Sequence, residues 1–178
     1  INGCAATDTV TVDYVPIPVA NFNLDANTCV DGSTTIIFTQ IQVPGMTYNW
    51  NFDSPSSITG AGPGPYVVSW GTPGTKTVTL SVTNQNCTST LITKTIEVNP
   101  IPTANFTVTN PICADQPAQI LYTGSAGSGA TFNWDFDGGM GGTGPGPFGV
   151  SWNVPGNKDI TLTVEELGCV SPVFTQSV

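Results

Sequence analysis

The sequence predicts an all-β protein of tandem antiparallel sandwiches. Three observations carry that prediction: a motif that returns at fixed spacing, alternation of apolar and polar residues within the repeated unit, and Gly and Pro clustered between the alternating runs. The segment Ile17-Pro18-Val19-Ala20-Asn21-Phe22 returns as Ile101-Pro102-Thr103-Ala104-Asn105-Phe106, and Tyr48-Asn49-Trp50-Asn51-Phe52-Asp53 returns as Phe132-Asn133-Trp134-Asp135-Phe136-Asp137, both 84 residues on (17 to 101, 48 to 132). Gly62-Pro63-Gly64-Pro65-Tyr66 matches Gly144-Pro145-Gly146-Pro147-Phe148, and Val78-Thr79-Leu80-Ser81-Val82 matches Ile160-Thr161-Leu162-Thr163-Val164, at an offset of 82 (62 to 144, 78 to 160). Two residues are therefore lost between the aromatic run and the Gly-Pro loop. Cys4 through Tyr14 reads like Cys87 through Val98, and both stretches run into a Pro-Ile-Pro joint. The chain divides into residues 1–16, expected to be the last strand of a preceding repeat, a first repeat at 17–99 and a second at 101–178.

Within the repeat, Tyr48, Trp50 and Phe52 alternate with Asn49, Asn51 and Asp53, and Val78, Leu80 and Val82 alternate with Thr77, Thr79 and Ser81. Period two means one buried and one wet face. Ile36 with Phe38, and Ile92 with Ile96 and Val98, mark further short strands, and about six or seven strands in a unit of this size describe a sandwich. Trp50 and Trp134 sit at the centre of alternating strands and are predicted core anchors. Trp70 and Trp152 each precede a Pro-Gly turn. A core position is expected for them too, with exposure as ligand-stacking platforms the alternative.

Composition narrows the function classes. Apolar residues make up 39% and charged residues 8%, enough apolar surface for packed cores and too little charge for a disordered chain. The net charge is −9, with Lys76, Lys94 and Lys158 as the only cations and neither Arg nor His present. Nucleic acid is excluded as a partner because phosphate binding needs clustered cations. No apolar run reaches the roughly 18 residues of a membrane span, so no membrane insertion by this segment is expected. The sequence opens in mid-pattern without a signal peptide, and its targeting signals are expected elsewhere.

Catalytic constellations fail one by one. Without His or Arg no Ser-His-Asp or Cys-His arrangement can be assembled. Asp135 and Asp137 share one strand face and Glu165-Glu166 are adjacent, but glycosidase chemistry needs a facing carboxylate and a cleft. Asp53, Asp135 and Asp137 end the aromatic strands beside Gly-rich loops and are calcium-ligand candidates, set against the favoured reading of turn-forming, solvated carboxylates. Gly62 to Pro65 and Gly138 to Pro147 lack the GxGxxG spacing and the following helix of a phosphate cradle, and read as loop spacers.

The run Tyr48-Asn-Trp-Asn-Phe-Asp53, followed after a Gly/Pro loop by Pro73-Gly74-Thr-Lys-Thr-Val-Thr-Leu-Ser-Val-Thr-Asn84, resembles the PKD (polycystic kidney disease) domain. That family carries an aromatic-x-Trp-x-Phe-Gly-Asp-Gly strand and a later Pro-Gly-x-Tyr-x-Val-x-Leu-x-Val strand. The chain departs from it at Asp53-Ser54-Pro55 and Asp137-Gly138-Gly139, and in its Val-Ser-Trp strand. It is similar to the divergent PKD-like modules strung together in giant Bacteroidetes surface proteins. The resemblance implies Ig-like sandwiches, a type IX secreted bacterial cell-surface protein and a gliding or adhesive role; some PKD domains bind calcium. Asp8-Thr9-Val10 fits the short pattern O-glycosylated at Thr in that group.

Cys29 and Cys113 occupy one repeat position, Cys87 and Cys169 another, and Cys4 matches the second set. Such register points to structural disulfides in an oxidising compartment. A zinc site lacks CxxC spacing and His, and a nucleophilic Cys lacks its base. Two connectivities are open. In an Ig-like sandwich the intra-repeat pairs Cys29–Cys87 and Cys113–Cys169 must cross roughly 20 Å or more, because strands B and F run the same way. A disulfide tolerates about 7 Å between Cα atoms, so these pairs require a long A–B segment that folds back. End-to-end stacking instead brings the A–B connection of one repeat to the F–G turn of the next and pairs Cys29 with Cys169.

The function expected is that of non-catalytic structural repeats of an extracellular adhesin, filament or stalk. Its expected partners are neighbouring repeats of the same chain, surface polysaccharide or other cells, and it needs no cofactor unless calcium binds. The alternative is a spacer or carbohydrate-binding accessory module of a secreted hydrolase.

Overall fold

The structure is a computed structural model and describes residues 6–109 and 116–178; Cys4 and Cys113 lie outside the described residues. It is all-β. In the first sandwich, β1 (Phe22–Asn23), β3 (Ser33–Phe38), β6 (Tyr66–Ser69) and β5 (Ser57–Thr59) form one sheet in that order. The facing sheet is β2 (Asn27–Cys29), β9 (Ile92–Asn99), β7 (Gly74–Asn84) and β4 (Thr47–Asn51), with β8 (Cys87–Thr88) hairpinned onto β7. The second sandwich sets β10 (Phe106–Val108), β11 (Ala118–Tyr122) and β13 (Phe148–Val150) against β12 (Thr131–Asp135), β14 (Asp159–Glu166), β15 (Cys169–Val170) and β16 (Phe174–Ser177).

Alternation in the sequence becomes alternation in burial. On β3, Thr34, Ile36 and Phe38 are buried while Ser33, Thr35 and Ile37 are exposed, and on β7 Val78, Leu80 and Val82 are fully buried. The repeat is kept at the level of register: Trp50 lies opposite Leu80 on β7, and Trp134 opposite Leu162 on β14. Each sandwich closes over its own core, the first around Phe22, Ile36, Trp70, Leu80 and Ile96, the second around Phe106, Ile120, Phe136, Leu162 and Val164.

The tryptophans distribute differently from expectation. Trp50 and Trp134 are half-buried and pack against the cores, whereas Trp70 has no exposed surface. Sheet position explains the exchange. β4 and β12 are edge strands, so one side of their indoles reaches the sheet margin, while Trp70 follows β6, which is flanked by β3 and β5. Trp152, half-buried, packs against the second core from the end of β13, which has no strand on its outer side among the described residues.

Each edge Trp organises an aromatic cluster. Trp50 stacks on Phe52 at 5.5 Å and meets Phe22 and Tyr66 edge-on, and Trp134 stacks on Phe136 at 5.4 Å and meets Phe106 and Phe148 edge-on. Such pairs contribute about 0.5–1.5 kcal/mol each beyond their buried area. The Gly-rich loop of the second sandwich covers this cluster at close range. A Cβ on Gly139 would come 2.7 Å from the Trp152 Nε1, and one on Gly141 2.2 Å from the Phe136 ring, so only glycine permits the approach.

Residues 6–20 form no strand, and Val10, Val12 and Tyr14 are 80%, 82% and 87% exposed.

Because the cores are separate, a cavity in one should leave the other intact. Leu80→Ala is expected to cost the first sandwich about 2–5 kcal/mol. Amide exchange read by mass spectrometry should then show lost protection in residues 17–99 and unchanged protection across β12 and β14.

Candidate functional site

The joint between the sandwiches is where sequence-distant chemistry converges. It begins with β2, which runs parallel to β9; every other pairing among the described residues is antiparallel. Asn27, Thr28 and Cys29 lie in register with Glu97, Val98 and Asn99. Backbone bonds seal both ends: Glu97 N–H donates to the Ala26 carbonyl at 3.1 Å, and Val30 N–H to the Asn99 carbonyl at 2.9 Å. The Thr34 hydroxyl donates to the Asp25 carboxylate ahead of the strand. Beyond Cys29 the chain turns back, with Gly32 N–H donating to the Cys29 carbonyl at 2.9 Å. A Cβ on Gly32 would sit 2.9 Å from the Thr28 hydroxyl. Cys29 is thereby held level with the last residue of β9, at the pole of the first sandwich that faces the second.

The second sandwich presents the turn between β14 and β15 to this pole. Leu167 and Gly168 both have positive φ, 52° and 79°, the signature of a two-residue hairpin whose twist matches its strands. Glu166 pairs with Cys169 across it. Cys29 and Cys169 form a disulfide with a Cα–Cα distance of 5.7 Å across 140 residues of sequence. The buried Asn99 adds a polar tie, its side-chain amide donating to the Leu167 carbonyl at 3.2 Å. That bond holds a leucine in the left-handed region, where a non-glycine residue costs about 1 kcal/mol or more. The linker is fixed on its far side as well: Pro102 is buried, and the Thr103 carbonyl accepts the Tyr122 hydroxyl at 2.7 Å.

Of the two connectivities left open, the structure forms the one between repeats. The intra-repeat pairs Cys29–Cys87 and Cys113–Cys169 are not formed, because Cys29 and Cys169 are bonded to each other. The distance also forbids the first: Cys29 sits at the Gly74 end of β7 and Cys87 at its Asn84 end. The eleven residues of β7 span about 35 Å at strand rise. The segment between β1 and β3 crosses to the facing sheet and lies along the end of β9, away from Cys87.

The other candidate residues serve the fold. The Asp53 carboxylate accepts Thr77 N–H at 3.0 Å while its own N–H donates to Asn51 Oδ1; Asp137 repeats this with Asp159 N–H at 3.2 Å and Asp135 Oδ1. Asp53 and Asp137 have φ of 53° and 51°, so both are turn residues that clasp the start of β7 or β14. Asp53 and the Asp135–Asp137 pair lie on different sandwiches, and no group of three acidic, His or Cys side chains among the described residues is placed to hold a metal ion. The stacking-platform reading fails at Trp70, which is fully buried, while Trp152 is half-buried. Trp70 Nε1 donates to the Phe52 carbonyl at 2.8 Å and Trp152 Nε1 to the Phe136 carbonyl at 2.7 Å, and Trp70 has no free ring face. Thr9 is exposed on the extended segment before the first sandwich.

The second sandwich carries a cavity that its sequence did not announce. A cavity of about 460 Å³ opens in the second between Tyr122, Ala126, Gly127, Ala130, Phe132 and Pro145. The equivalent positions in the first carry larger side chains: Gln42, Val43 and Met46 stand 84 residues before Ala126, Gly127 and Ala130. The Met46 sulfur there lies 3.7 Å from the Tyr48 hydroxyl, against the first core. Its trace in the sequence is three truncations at matched positions.

No family model and no curated protein matches the sequence. Among solved structures the chain is similar to the D00-D0 domain of intimin, at 15% identity and a TM-score of 0.46, covering 90% of this chain and 97% of that one. It is also similar to fibronectin(III)-like modules of Clostridium thermocellum CbhA (16%, TM-score 0.36, 89% and 92%) and to human protocadherin-24 EC1-2 (12%, TM-score 0.34, 89% and 96%). The sandwich assignment rests on the strand pairing itself.

Two outcomes are expected. Replacing Cys29 and Cys169 together by Ser should lower stability by about 2–4 kcal/mol, the usual effect of opening a long closed loop, measured by denaturant unfolding without reductant. Burial raises the pKa of Tyr48 and Tyr66 above the ordinary value of 10.0. The unfolded chain then loses these phenolic protons first, so stability is intact below about pH 10 and falls as pH rises through the raised folded values. A Tyr48→Phe, Tyr66→Phe variant, copying Phe132 and Phe148 of the second sandwich, should show a smaller alkaline loss in unfolding followed from pH 8 to 11.

Proposed function

We propose that this segment is a non-catalytic structural module of an extracellular adhesive protein, PKD-like sandwiches fixed end to end within a bacterial surface filament or stalk. Type IX secretion and a part in gliding belong to the same reading. The observation that carries it is the Cys29–Cys169 disulfide. A bond between neighbouring sandwiches restricts their bending and requires an oxidising compartment. The Pro100-Ile101-Pro102 linker stiffens the same joint.

The outer surface suits such a role. Thr93 and Thr95 on β9 and Thr35 on β3 point outward, and the few charges leave broad hydroxyl-bearing faces. Faces of this kind make weak contacts with polysaccharide or other cells that gain strength by repetition along a filament. A non-catalytic role is supported by the lack of His and Arg in the sequence and by the engagement of the Asp53, Asp135 and Asp137 carboxylates with backbone N–H groups.

The reading is tested by small-angle X-ray scattering of the oxidised and reduced chain. The oxidised protein is expected to give one narrow distribution of interatomic distances whose maximum matches two sandwiches in line. Reduction should broaden it, and a distribution unchanged by reduction would show that the bridge does not set the joint.

A further inference from the structure

We infer that Cys87 is half of a second staple. Its partner is a cysteine on the connection between the first strands of another sandwich, one that takes residues 6–16 as its last strand. The inference rests on the proposed end-to-end chain of sandwiches and extends it to the first joint. Cys87 occupies the hairpin position of Cys169: Asn84 pairs with Cys87 as Glu166 pairs with Cys169, and the intervening Gln85 and Asn86 have positive φ like Leu167 and Gly168. The surroundings of the two sulfurs also match. Cys169 Sγ lies 3.9 Å from the Asn99 carbonyl oxygen, and Cys87 Sγ lies 3.8 Å from that of Val15, which stands 84 residues before Asn99 in the sequence (15 to 99). The segment before the first sandwich therefore crosses Cys87 as the end of β9 crosses Cys169.

An independent observation says what covers that segment. Val12 and Tyr14 correspond at the same 84-residue offset to Ile96 and Val98. Those two are fully buried in the first core, whereas Val12 and Tyr14 are 82% and 87% exposed. They carry the apolar face of a last strand with no sandwich over it. A strand laid parallel along residues 13–15, as β2 lies along β9, sets its final residue opposite Val15, the position Cys29 holds opposite Asn99. A cysteine there is delivered to Cys87, which is half-buried and carries a free thiol. Closing the bond removes two protons and two electrons from the paired thiols. The acceptor is the disulfide of a thiol-oxidising protein of the secretory compartment, which leaves as its dithiol.

The test is peptide mapping of the full-length protein from its own cells, alkylated under denaturing, non-reducing conditions before digestion. The expected result is a Cys87 peptide joined to a cysteine N-terminal to residue 1, alongside the Cys29–Cys169 pair. Recovery of Cys87 as an alkylated thiol, or bonded to Cys4 or Cys113, overturns the inference. If Cys29–Cys169 is still found in that case, the stapled-joint reading stands; if it too is missing, both fall.

Discussion

The geometry of the joint depends on one constraint, the parallel pairing of Asn27–Cys29 with the end of β9. A parallel neighbour arrives at the same pole as the strand it follows, so Cys29 is carried to where β9 leaves the first sandwich and the linker enters the second. The same three residues run antiparallel would have left Cys29 short of that point by about two strand residues, roughly 7 Å, enough to break the bridge. The disulfide, the bond from Asn99 to Leu167 and the buried Pro102 all lie around that point. The bridge closes 140 residues of chain, so opening it frees the orientation of two sandwiches while leaving each core closed.

The rest of the molecule supplies two stiff bodies for the joint to connect. In each, an edge Trp stacks on the Phe two residues further along and donates its indole N–H to a Gly carbonyl of the crossing loop, Trp50 to Gly62 at 3.0 Å and Trp134 to Gly144 at 2.9 Å. A second Trp ties the same Phe carbonyl from the facing sheet. Both pairs of tryptophans thus lock sheet to loop and satisfy their only polar atom internally. What varies between the repeats lies to one side of this frame, where Ala130 in place of Met46 leaves the second sandwich with its cavity.

The fold was legible because a strand's period is fixed at two. Val78-Thr-Leu-Ser-Val82 admits one pattern of burial, and the 84- and 82-residue offsets put equivalent residues into equivalent registers. The burial of individual tryptophans was not legible, because a strand's place in its sheet decides it: centrality in sequence made Trp50 the expected anchor, and position at a sheet edge left it half-buried. The acidic candidates misled for a related reason. Asp53 and Asp137 look alike as calcium ligands or as turn clasps until the backbone N–H groups of Thr77 and Asp159 are found against them.

The sequence by itself determined the sandwich class, the repeat and its two cores, the lack of any His- or Arg-based constellation, and the equivalence of Cys29 with Cys113 and of Cys87 with Cys169. These follow from local periodicity and residue chemistry. Only the tertiary structure decided which sulfurs meet. A cysteine pair is chosen by a Cα separation of a few ångströms between segments 140 residues apart, and that separation is set by the direction in which a three-residue strand lies along its neighbour.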